Sequence, residues 1–198
     1  NAVSSYQATF DSSNNKVVIV YSDQGQSFYL KAIVGTVSGD SISFGTPTTI
    51  ISASTYRYDV TFDSNSNKVV VAYNNEGNSR GEAVVGTVSG TSISFGSATT
   101  FESSATQHLG ATFDSNSNKV VVAYLDSGNS NRGTAAVGTV SGTSISFGTP
   151  VVYNFNTTYY SEATFDSNSN KVVIVYTDVG SSYDGEAVVG TVSGTSIG

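Results

Sequence analysis

Few side chains in this sequence could do chemistry, and they cluster. His108 is the single imidazole and there is no cysteine, so a nucleophile–base relay would rest on one histidine with no supporting motif. Glycoside hydrolysis needs two carboxylates at a set separation. Asp59 and Glu162 are the candidates, but no spacing joins them as a pair. The only arginines are Arg57, Arg80 and Arg132. Around these fall Tyr29, Tyr56, Tyr58, Tyr159, Tyr160, Tyr183 and Asp184, with Phe28 and Phe155 beside them. Aromatic rings next to carboxylates, amides and guanidinium groups suit sugars, whose apolar faces stack while their hydroxyls take directional hydrogen bonds. The expectation is a ligand-binding set without catalytic residues.

A metal reading starts from Asp63-x-Asn65-x-Asn67, which recurs at Asp114 and Asp166, because spaced oxygen donors open a calcium loop. Lys68 then stands where the sharp-turn glycine belongs, and no bidentate glutamate follows. In the first copy Ser13 replaces the middle asparagine. A self-bonded turn is the better expectation, with no metal and no cofactor.

The elements that must position these residues form a repeat. Thr61-Phe62-Asp63-Ser64-Asn65-Ser66-Asn67-Lys68-Val69-Val70-Val71-Ala72-Tyr73 occurs in four related copies. Their phenylalanines, Phe10, Phe62, Phe113 and Phe165, are 52, 51 and 52 residues apart. In the second copy a first strand near Val60 to Phe62 leads through the polar turn to a second, Lys68 to Tyr73. Val69, Val71 and Tyr73 point one way and Val70 and Ala72 the other, so this strand should be covered on both faces. A third strand, Glu82 to Val88, follows a loop from Asn74 to Gly81. Ser89-Gly90-Thr91 turns into an outer fourth strand carrying Ile93 and Phe95.

Four-stranded antiparallel meanders at this period resemble β-propeller blades, and the resemblance covers the whole chain. There is no WD dipeptide, kelch Gly-Gly pair or sialidase box. Asn-Lys-Val-Val-Val-Ala-Tyr followed by Ser-Ile-Ser-Phe-Gly-Thr-Pro is similar to repeat arrays of large bacterial surface proteins and phage tail-fibre proteins. The resemblance implies an all-β propeller of one repeat domain, with blades near 7–58, 59–109, 110–161 and an incomplete 162–198. Asn1 to Tyr6 aligns after a fourth strand, and the last copy stops at Ile197-Gly198. A segment of a longer array is expected, with a four-blade ring lacking one edge strand as the rival. An open edge strand would offer a template for self-association.

Composition narrows the partners. A net charge of −7 with eight Lys and Arg removes the main electrostatic route to nucleic acid. No apolar run approaches the roughly 20 residues that cross a bilayer as a helix. Without cysteine there is neither a disulfide framework nor a thiolate site. Low charge with abundant Ser, Thr, Asn and Gly fits an extracellular or virion-surface location.

The copies differ chiefly between the second and third strands and in the connectors between repeats, Ile51 to Asp59, Glu102 to Gly110 and Asn154 to Glu162. In a meander both lie at one end of the sheets, where a fixed scaffold presents binding loops. Two readings follow: a non-enzymatic recognition or adhesion module binding glycan or another surface ligand, or a structural repeat of a fibre, filament or virion appendage.

Overall fold

A computed structural model describes residues 3–198, the side chain of Ser4 excepted. The chain is all-β, with antiparallel sheets and, among the described residues, a single 3-10 turn at Gln24–Gln26. Among the described residues no helix is long and apolar enough to cross a membrane. The first sheet holds β1 (Val3–Asp11), β2 (Lys16–Asp23), β3 (Tyr29–Ser38), β4 (Ser41–Phe44) and β5 (Thr48–Ser54). The second holds β6 (Tyr58–Asp63), β7 (Lys68–Asn75), β8 (Arg80–Ser89), β9 (Ser92–Phe95) and β10 (Thr99–Glu102). The third contains β11 (Thr106–Asp114), β12 (Lys119–Asp126), β13 (Arg132–Ser141), β14 (Ser144–Phe147) and the start of β15 (Val151–Asp166). The far half of β15 begins the fourth, with β16 (Lys171–Asp178) and β17 (Asp184–Gly190). A small hairpin, β18 (Val192–Ser193) and β19 (Ser196–Ile197), follows.

Each of the first three repeats is therefore a four-stranded meander whose outer strand is interrupted. β4 pairs with the end of β3 and β5 with its beginning, and the break falls at Gly45-Thr46-Pro47. Gly45 donates to Val34 O at 2.9 Å, after which Pro47 has no N–H to continue the ladder. The sequence foresaw only the first half of this strand. It also treated Asn154 to Glu162 as a connector, whereas the 16-residue β15 runs through it unbroken from the third sheet into the fourth. Asn1 and Ala2, expected with the residues up to Tyr6 to follow a fourth strand, lie outside the described residues, and Val3 to Tyr6 open β1.

The sheets stack face to face, and the two-sided second strand is the reason. Val69, Val71 and Tyr73 pack with Val18, Val20 and Leu30 of the first sheet. Their neighbours Val70 and Ala72 pack with Val120, Val122 and Tyr124 of the third. Val121 and Ala123 repeat the arrangement against Val172 and Ile174 of the fourth. The valines of β7 and β12 are fully buried, so every core lies between sheets and a single sheet owns none. Fully burying such a side chain contributes about 1.5–3 kcal/mol.

Glycines set how closely the sheets approach. A Cβ on Gly45, Gly96 or Gly148 would run into the carbonyl oxygen of Thr91, Thr143 or Thr195 in the turn of the next repeat. Gly96→Ala must push two sheets apart and should lower stability by about 1–3 kcal/mol, read as a fall in the urea unfolding midpoint. Gly185→Ala, where a Cβ meets nothing within 4 Å, should leave the midpoint unchanged.

Candidate functional site

The two variable segments of each repeat meet at one end of the sheets. Thr55 N–H donates to Phe28 O at 3.1 Å, Ser127 N–H to Ala105 O at 3.1 Å and Val179 N–H to Thr157 O at 3.0 Å, tying the loop between second and third strands to the connector. The Phe28 and Tyr56 rings meet in a tilted contact across the same junction, their centroids 4.8 Å apart. Here the first strands are bulged, with register shifts between Val3 and Tyr6, Gln107 and Gly110, and Tyr159 and Glu162. His108 and Tyr160 sit in these bulges with φ of 51° and 53°, a left-handed conformation uncommon for residues other than glycine. A bulge re-aims side chains out of the alternation of a regular strand.

Between the first strands of the first three repeats lies a groove of about 360 Å³, lined by Tyr56, Arg57, the edge of Tyr58, His108, Leu109 and the segment Ser5-Tyr6-Gln7. Tyr56 is half exposed, and Arg57 is held at the surface by Glu76 Oε1 at 3.1 Å. The aromatic surface runs on into the fourth repeat, where the His108 ring lies 5.1 Å from Tyr159 and 4.8 Å from Tyr160. Burial, aided by the Arg57 charge, lowers the pKa of His108 and favours a neutral imidazole that can both donate and accept.

Asp59 carries the strongest perturbation here. Burial pushes its carboxyl up to about 6, and the nearby Glu162 charge adds to the rise. Amides oppose it: Ala111 N–H donates to Oδ2 at 2.7 Å and Val60 N–H to Oδ1 at 2.8 Å. Glu162, on the exposed side, is raised by the protein around it.

The remaining expected residues divide. Tyr58 is 5% exposed, and its hydroxyl donates to Ser5 O at 2.6 Å and accepts from Ser22 N–H at 3.0 Å. Its ring is a strut between two sheets, not an open contact, because the pleat turns it into the core. Arg132 lies 5.4 Å over the Phe155 ring, with Nη1 on Asn129 Oδ1 at 3.3 Å. Tyr29, Arg80, Arg132, Tyr183 and Asp184 do not line the groove. Gln7 does line it, and the sequence reading missed it; the signal was present, since Gln7 stands 52 residues before Asp59.

At the opposite end, the turn aspartates hold their own loops. Asp63 Oδ1 accepts from the Asn65 and Ser66 amides at 2.9 and 3.0 Å and Oδ2 from Ser66 Oγ at 2.5 Å, and Asp114 and Asp166 repeat this. In the first copy the Ser13 and Asn14 amides likewise donate to Asp11 Oδ1, both at 3.0 Å, and the Ser13 and Asn14 side chains add two further donors. These carboxylates are engaged as Asx turns. No family model and no curated protein matches the chain.

Asp59 makes a pH prediction. Its folded pKa of about 6 stands above the unfolded value of about 3.9, so the folded state holds the proton more tightly. The linked stability is whole below pH 4 and is lost as pH rises through 6. Asp59→Asn removes this titration and keeps an oxygen for the Ala111 amide. Its stability relative to the parent should rise by about 1–3 kcal/mol between pH 4 and 7.5, measured by urea unfolding. Parallel pH profiles would show that Asp59 does not titrate in this window.

Proposed function

We propose that this chain is a run of β-propeller blades acting as a non-enzymatic extracellular recognition module, which binds glycan or another surface ligand in the groove at the variable end of the sheets. The groove itself carries the reading: about 360 Å³ is within the size range of small-ligand sites, and its lining comes from the variable positions of three repeats. Tyr56 offers an apolar face for a sugar ring, Arg57 offers donors, and neutral His108 offers one donor and one acceptor. Tyr159 and Tyr160 extend the surface for a second ring beyond His108. The blade reading is supported by the four-stranded meanders and their face-to-face order.

The test is a glycan-array screen of the purified chain, followed by titration calorimetry with the best sugar. Tyr56→Ala and His108→Ala should each weaken binding about tenfold or more, near 1.4 kcal/mol. Arg80→Ala and Tyr183→Ala, away from the groove, should change it less than about twofold, under 0.5 kcal/mol. A blank array, or turnover of a glycoside, would defeat the reading.

A further inference from the structure

The two end sheets each leave bare one half of a contact that the chain makes three times internally. In the second sheet Val88 and Ile93 are 7% and 4% exposed against the first sheet, with Phe95 packed beside them. Their counterparts one repeat earlier, Val37, Ile42 and Phe44, are 56%, 42% and 48% exposed. In the third sheet Ala123 and Val137 are 0% and 1% exposed against the fourth. Their counterparts one repeat later, Val175 and Val189, are 45% and 60% exposed. The first sheet thus presents a head face and the fourth a tail face, and these face types cover one another at every internal junction. Large exposed apolar patches of this kind mark interaction sites.

Polar groups repeat the correspondence. Tyr6, 73% exposed, stands at the position of Tyr58, whose hydroxyl crosses to Ser5 and Ser22 of the preceding sheet. Glu162 stands at the position of Asp59, whose carboxylate accepts the Ala111 amide of the following sheet. Ala8 holds the position of Ala111 in the first repeat. A head face meeting a tail face would therefore bring a carboxylate to an amide and a tyrosine to the opposing sheet, as well as valine to valine.

We propose that the partner is a second copy of this chain, docked head to tail so that its first sheet packs on the fourth sheet of its neighbour. Both faces are exposed in this chain, and the docking proposed is between two copies of it. It joins unlike surfaces and is heterologous, and such contacts build rings where the rotation closes and filaments where it does not. The contact is between sheet faces and separate from pairing along strand edges, and it shares Tyr6 with the groove.

Sedimentation velocity on the whole chain from about 1 to 100 μM, spanning the range of ordinary specific association, tests this. The parent should grow in mass with concentration. Phe44→Asp on the head face and Val189→Asp on the tail face should each weaken that growth at least tenfold. Mixed one to one, the two variants should give a discrete dimer, because one intact head and one intact tail remain. Tyr6→Phe, which keeps the ring and the fold, should weaken assembly several-fold. Circular dichroism and the unfolding midpoint confirm that each variant is folded. A monomeric parent at every concentration, assembly that survives both aspartates, or a mixture no larger than its folded parts would overturn the proposal.

Discussion

The structure depends on one constraint: the second strand of each repeat is apolar on both sides, and a sheet standing alone can cover neither. Val69 and Val71 need the first sheet, while Val70 and Ala72 need the third. No repeat possesses a core of its own, so stability is a property of junctions, as in other repeat architectures. Short side chains make the junctions close. The facing positions are mostly Val and Ala, and glycine replaces anything larger where the next repeat's turn touches down.

That constraint fixes the middle of every strand and leaves the ends free. Register in β7 or β12 cannot slip by one residue without turning a valine row out of its core. The strand ends at the groove face no such penalty, and there the first strands bulge, φ turns positive at His108 and Tyr160, and side-chain identity changes from copy to copy. Asp59 shows where the two regimes meet. It is close enough to the core to be desolvated, and its two amide hydrogen bonds only partly compensate, so its carboxyl sits high.

This division explains what could be read from the sequence. The alternation in Lys68 to Tyr73 declared two covered faces, and the period of the phenylalanines declared four copies, because both follow from local geometry. The Asx turns were legible for the same reason: Asp63 bonds to residues two and three ahead of it. The other features depend on neighbours far along the chain. Tyr58 looks like an exposed tyrosine until Ser5 and Ser22, brought from the preceding repeat, take its hydroxyl. Tyr6 and Gln7 line the groove only because the first strands of three repeats converge. The continuity of β15 through Asn154 to Glu162 was hidden by polar residues that read as a connector. There Asn154 is buried and its amide donates to Thr158 Oγ1 at 3.0 Å, an internal partner that lets a polar strand stay closed.

Near-identical valine rows raise a question of order, since any sheet's apolar face would accept any other. Polar contacts distinguish the junctions. Between the first two sheets the Tyr58 hydroxyl meets Ser5 and Ser22. Between the second and third, Asp59 takes the Ala111 amide and Asn74 Oδ1 accepts from Thr106 N–H at 2.9 Å. Between the third and fourth, Gly110 leaves room for the backbone at Glu162, where a Cβ would lie 2.6 Å from the Glu162 Cα. Exchanging sheets would take the Tyr58 hydroxyl from Ser5 and Ser22 or press Asp59 onto a junction shaped for glycine. A buried polar group left without its partner costs about 1–3 kcal/mol. The valines therefore supply adhesion common to all junctions, and a few polar residues at the ends of the first strands select which sheets are adjacent. Those same strand ends form the groove, so the residues that order the stack also set the shape of its site.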